Sequence, residues 1–101
     1  IEHIDPLATF YAATTRKDHK DWPINGFIPT QAISPKEALI GMTYGASYAA
    51  FGEHQYGSTR IGQRANFTII NSNLLEPKEN QRSTTKVIGT VVNGHYFPTL
   101  K

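Results

Sequence analysis

Three stretches decide the fold: residues 33–52, ISPKEALIGMTYGASYAAFG; residues 57–70, GSTRIGQRANFTII; and residues 86–97, KVIGTVVNGHYF. The first opens with Ser34, Pro35 and Glu37, the pattern of a capping box, in which Ser34 Oγ serves the Glu37 N–H and the Glu37 carboxylate reaches back to the Ser34 N–H. Behind it Ala38, Leu39, Met42, Ala46, Ala49 and Ala50 follow a helical stripe. Gly52 stands where a left-handed C-terminal cap belongs. Gly41 and Gly45 share a helix face, and each costs roughly 1 kcal/mol relative to Ala. That cost predicts another backbone packed closely on their side.

In the second stretch the period changes from helical to alternating. Ala65, Phe67 and Ile69 point one way and Asn66, Thr68 and Ile70 the other, with Gly62 as the turn before the strand and 58–61 as a short extended piece. In the third, residues 86–92 read as a strand, and Asn93-Gly94 predicts a type I′ hairpin turn, which needs φ > 0 at both positions. His95, Tyr96 and Phe97 return as the second arm, and Pro98 stops it.

Working outward, Asp5-Pro6 is a helix start, with an acceptor for an orphan N–H and a preset φ at the first helical position. A helix from Pro6 to about Thr15 places Leu7, Phe10, Tyr11 and Thr14 on one stripe. Residues 16–31 carry charges and then Trp22-Pro23, Asn25-Gly26 and Pro29, the chemistry of a loop, expected to be held by Trp22 and Phe27. Residues 71–85 are polar with Leu74-Leu75 as the apolar anchor, and read as a surface excursion.

The 101 residues fit one domain, and a chain of this size buries only about two thirds of its unfolded surface. No apolar run approaches the roughly 20 residues a membrane helix needs. Ile1 is followed by Glu2, His3 and Asp5, unlike the basic and then apolar start of a signal peptide. The expectation is a cytoplasmic protein trimmed from something longer. Cysteine is absent, so disulfides, thiolate ligands and a cysteine nucleophile are excluded within the chain. The net charge of +2 comes from dispersed Lys and Arg with no basic run, and nucleic acid is not an expected partner; nor is a membrane.

The chemistry-bearing residues form no recognisable constellation. Histidines stand at 3, 19, 54 and 95 with no HxH or HExxH and no pair three or four apart. There is no GxSxG elbow and no phosphate-cradling glycine motif. Glu37 belongs to the capping box and Asp5 to the first helix; Glu76 and Glu79 fall in a solvated loop, and Asp18 and Asp21 intersperse with Lys17 and Lys20. No catalytic and no metal-binding residue is therefore expected in the chain, and its substrate-binding residues stay undefined.

Five pieces in order resemble the C-terminal portion of the amidohydrolase superfamily, most closely its family 3 branch. HIDPLATFYAATTR (3–16) resembles the helix after the eighth barrel strand, and NGFIPTQAIS (25–34) the Gly-aromatic-x-Pro-x-Gln loop before the last barrel helix. SPKEALIGMTYGASYAAF (34–51) resembles that helix, with Glu37, Ala38, Leu39, Thr43 and Ala46 at matching places. GSTRIGQRANFTII resembles the family's Gly-Ser-Ile-x-x-Gly-Lys-x-Ala-Asp strand, and VIGTVVNGHYF (87–97) its final hairpin. Asn66 departs from the usual Asp, and Arg64 and His95 stand near positions where Lys is common.

The resemblance implies an α+β fold: two helices and then a small, mostly antiparallel sheet, forming the end of a TIM-barrel hydrolase plus part of its composite β-sandwich domain. Residues 1–56 would be the terminal helical segment of the (β/α)8 barrel and 57–101 the C-terminal strands of the β-domain. The implied parent is a metal-dependent hydrolase of non-peptide carbon–nitrogen bonds, using a divalent metal, zinc foremost. The fragment itself is expected to hold no cofactor, to be catalytically inert, and to have the remainder of the parent chain as its partner. Alone, its uncovered faces and edges predict a homodimer, with Leu39, Met42, Phe67, Ile69, Val91 and Tyr96 in the core. The alternative is a free-standing binding module that uses the Trp22–Phe27 loop or the hairpin.

Overall fold

A computed structural model describes residues 5–18, 20–76 and 84–100. The chain divides into two compact units, Ile1–Leu39 and Ile40–Lys101. The division expected at residue 57 concerns the barrel and β-domain of a larger protein, and is a different boundary from this one.

The first unit is built on helix α1, Pro6–Thr15. Asp5 Oδ1 accepts the Leu7 N–H at 2.9 Å, and Pro6 fills the first helical position, as the sequence predicts. Phe10 and Tyr11 are buried and meet edge to face, 5.5 Å between centroids. The helix ends on Arg16 at φ 60°, whose N–H reaches Ala12 O at 2.9 Å. The following loop returns to α1 through Ile33 N–H to Ala13 O at 3.1 Å, after a 3-10 turn at Pro29–Gln31.

The capping box forms as read: Glu37 N–H donates to Ser34 Oγ at 3.1 Å, and Ser34 N–H to Glu37 Oε1 at 3.0 Å. Helix α2, Pro35–Ile40, follows it and continues through a π-helical turn, Gly41–Gly45, into α3, Ala46–Ala49. The two glycines do not receive a neighbouring backbone. A Cβ on Gly41 would meet nothing within 4 Å, and one on Gly45 would meet the Ile40 carbonyl, O at 3.3 Å and C at 3.9 Å, one π-turn back along the same chain. They bracket the widened, π-helical turn.

The C-terminal cap also differs by one residue. Phe51, at φ 60°, is the left-handed residue; its N–H reaches Tyr48 O at 3.0 Å while Gly52 N–H reaches Ser47 O at 2.7 Å. This pair of bonds is a Schellman motif with Phe at the position glycine usually holds. Gly52 is kept small by something else: a Cβ there would run into the Tyr56 ring.

The sheet of the second unit has the order β1-β2-β3, all antiparallel: β1 Phe67–Ile70, β2 Val87–Val92 and β3 His95–Pro98. Asn93 and Gly94 take φ 50° and 81°, the tight turn that their sequence demands. Phe67 pairs with Val91 and Val91 with Tyr96; Ile69 pairs with Gly89 and Gly89 with Pro98. The register slips between Ile69 and Ile70, whose partners are Gly89 and Val87. Residues 57–66 are turns and loop: the turn read at Gly62 forms, at φ 94°, while the strand opens only at Phe67 and the piece at 58–61 joins no ladder. The loop's own side-chain bonds, described below, compete with a ladder there.

Among the described residues, α1, the continuous run of α2, π-turn and α3, and a three-stranded antiparallel sheet make the α+β class plain. The expected core does not form. Phe67, Ile69 and Tyr96 are exposed, and Leu39, Met42 and Val91 are half-buried; the buried apolar side chains among the described residues are Phe10, Tyr11, Ala38 and Leu74. Alternation assigned those strand residues to a common face correctly, yet a face is buried only when a second layer covers it. Leu74 is the anchor of the 71–85 excursion, while Leu75 is exposed. The base of that excursion is closed by Asn71, whose Nδ2 donates to Thr84 O at 3.0 Å and whose Oδ1 accepts Lys86 N–H at 2.9 Å. Pro77 and Glu79 lie outside the described residues.

Candidate functional site

The histidines are placed first, because metal chemistry would need them. His54 is almost wholly exposed beside Glu53, at 3.9 Å, and His95 is exposed at the start of β3. His3 and His19 lie outside the described residues. Among the described residues no three of His, Cys, Asp and Glu converge.

The densest polar cluster lies in the loop after α3. Gly57, at φ 100°, lets the chain turn with its Cα against Ser47 of α3; a Cβ would meet the Ser47 Oγ and lie 3.1 Å from Thr43 O. Ser47 is buried, and its Oγ donates to Tyr44 O at 2.9 Å. Gln63 then ties the loop: its Oε1 accepts Ser58 N–H at 3.1 Å and Ser58 Oγ–H at 2.7 Å, and its Nε2 donates to Glu53 O at 2.7 Å. Arg64 donates from its backbone to Gln55 O and from its guanidinium to Gln55 Oε1, at 2.7 and 3.0 Å. Arg60 lies over the Tyr44 ring, 5.7 Å from its centroid. Buried Glu53 Oε2 has no hydrogen-bond partner. These bonds satisfy and shape a loop. They bring no nucleophile to a base.

The 16–31 loop is held at Trp22 and Phe27, through their backbones and through Arg16, which lies over the Phe27 ring 5.7 Å from its centroid. Trp22 and Phe27 are both exposed. Asp18 Oδ1 accepts the Lys20 and Trp22 N–H groups at 2.8 and 3.1 Å, and Asp18 N–H returns to Trp22 O at 2.8 Å. Arg16 Nε donates to Phe27 O at 2.8 Å, and Phe27 N–H donates to Arg16 O at 2.8 Å. The charged residues read as a solvated cluster are thus partly the staples of the loop. An Asp four residues before a Trp is a weak signal, since it needs the turn to exist first.

What the described residues present most of is uncovered apolar surface. Beside Trp22 and Phe27 in the first unit, Ile24, Ile28 and Ile33 are exposed. In the second, Ile88, Val92 and Phe97 are exposed on one face of the sheet, and Phe67, Ile69 and Tyr96 on the other.

The family model described as amidohydrolase family matches residues 1–96. The chain belongs to the amidohydrolase family. The match spans the capping box, the glycine-bearing loop and the closing hairpin, and so confirms the family that the five sequence pieces resemble. Among curated proteins, Protein LONG AFTER FAR-RED 3 of Arabidopsis thaliana is 34% identical over 94 residues, covering 93% of this chain and 16% of that protein. The chain therefore spans about a sixth of the length of this relative. No solved structure matches it. No described helix is long and apolar enough to cross a membrane.

Proposed function

We propose that this amidohydrolase-family chain is the C-terminal portion of a larger metal-dependent hydrolase of non-peptide carbon–nitrogen bonds, and that its own role there is structural. The observation that carries the proposal is the mismatch between a family match over residues 1–96 and the small set of buried apolar side chains. A chain that is complete as a folding unit covers its strand faces; here both faces of the sheet remain open. The helices would buttress the end of a TIM barrel and the strands would complete a composite β-domain. The 16% coverage of the plant relative is consistent with a part of that size.

In this reading a divalent metal, zinc foremost, is held by residues of the parent that lie outside the described residues, and so is the proton-transferring acid. The parent is taken as cytoplasmic, which cell fractionation checks. The test is the coding sequence upstream of Ile1, followed by an assay of the longest product against amide and cyclic-amide substrates with added zinc. A Ser-Asp-x-Pro stretch before Ile1, a distant HxH and metal-dependent hydrolysis are expected. An upstream frame that is open but lacks both motifs would overturn the reading.

A further inference from the structure

The two edges of the sheet are not equivalent, and the backbone bonds show how. Thr99 N–H donates to Ile88 O at 2.9 Å, and Asn71 N–H donates to Lys86 O at 3.2 Å. Alternation in an antiparallel ladder then turns the backbone groups of Phe97 and His95 toward β2 and those of Tyr96 and Pro98 outward. On β1 it turns Phe67 and Ile69 toward β2, and Thr68 and Ile70 outward. The irregularity at Ile69/Ile70 places the extra residue, Ile88, on β2, so the alternation of β1 is unbroken.

The outer edge of β3 is blunted, because Pro98 has no N–H to offer. The outer edge of β1 keeps two donors and two acceptors, from Thr68 and Ile70. Its segment 65–71, ANFTIIN, contains no charge, no proline and no glycine, and is rich in β-branched residues. That composition lacks every usual device against edge pairing.

We propose that the outer edge of β1 is a strand-pairing site whose occupant, for this chain on its own, is β1 of a second copy. An antiparallel two-fold centred on Ile69 sets Thr68 opposite Ile70 of the partner, and Ile70 opposite its Thr68. Both residues face outward, so four N–H to O=C bonds close, with the two Ile69 side chains adjacent on one face. No like charges meet, since Arg64 and Glu76 lie beyond the paired segment. The apolar stripes of both sheet faces then run on into the partner. This assembly does not depend on what the parent hydrolyses.

The test is sedimentation velocity on the 101-residue chain across about a hundredfold range of concentration. A monomer–dimer equilibrium is expected. Thr68→Pro removes an outward donor while leaving the ladder to β2 intact, and its dimer should dissociate at least about tenfold more readily, with the same circular dichroism. In case that variant unfolds, amide exchange on the unmodified chain serves as the second readout. The Thr68 and Ile70 amides should be slowed about tenfold or more at high concentration, and the Tyr96 amide should not. A monomer throughout, larger assemblies, a folded Thr68→Pro dimer of unchanged strength, or concentration-independent exchange at Thr68 and Ile70 each overturns the proposal. A failed hydrolase assay leaves it standing, because the edge is a property of these residues alone.

Discussion

The Cα of Gly57 rests directly on the side chain of Ser47, so closely that a Cβ on Gly57 would stand 2.7 Å from Ser47 Cβ. The contact joins the loop after α3 to the helix itself, and it combines two demands on one residue: no side chain, and φ of 100°.

Gly57→Ala should therefore lower stability by about 2–4 kcal/mol, the sum of a left-handed backbone cost and an overpacked contact. Urea denaturation followed by circular dichroism measures it. Ser47→Gly in the same chain should recover the overpacking part and leave the backbone part. Full recovery would show that strain at Gly57 is not involved.

At the end of α3 the residue that pays the left-handed cost is Phe51, whose exposed side chain gains nothing from burial. Phe51→Gly should stabilise by about 1 kcal/mol. Gly52→Ala, one residue later, should destabilise by about 1–3 kcal/mol, because its Cβ would displace the Tyr56 ring. Thermal melts of the two variants should shift in opposite directions.

The capping box is sensitive to pH. The Ser34 N–H, and then the Ser34 hydroxyl, hold the Glu37 carboxyl below its ordinary value of 4.5. A carboxylate with a depressed value stabilises the fold above its unfolded value, and that contribution disappears as pH falls through the depressed one. The Ser34 and Glu37 amide resonances should therefore stay constant above about pH 5 and titrate together below 4.5. In Glu37→Gln the acid-range change at Ser34 should vanish. Its persistence would place the titrating group elsewhere.

Asn66 Oδ1 accepts the Asn93 N–H at 2.8 Å while Gly94 N–H reaches Ala65 O at 3.0 Å. The residues before β1 thus grip the hairpin turn. Asn66→Ala should cost about 1 kcal/mol and speed exchange of the Asn93 amide. Asn66→Asp keeps the acceptor and should leave that amide protected.

Much of this architecture was legible because its determinants lie within a few residues of one another. The start of α1, the Ser34–Glu37 box, the Asn93-Gly94 turn and the β2–β3 pairing each follow from a side chain or a φ preference acting on nearby backbone. The turn at Gly62 was legible, but alternation drew Ala65 and Asn66 into the strand and an extended piece was read at 58–61, where the bonds of Gln63 and Ser58 commit the chain to a loop. The π-turn between Gly41 and Gly45 has the residue types of an ordinary helix, and one extra residue in a turn leaves no compositional mark. The family was legible from the order of five weak pieces, each too common to identify it alone.

By itself the sequence determined the main elements, their order, the N-terminal caps of α1 and α2 and the family, since each rests on short-range chemistry or on a pattern carried along the chain. Only the tertiary structure decided which residues are covered. Phe67, Ile69 and Tyr96 share a face by alternation, yet they stay in solvent because burial requires an opposing layer, and no residue announces whether that layer is present. The same holds for Gly57: its contact with Ser47, ten residues away along the chain, exists only once the loop has folded back.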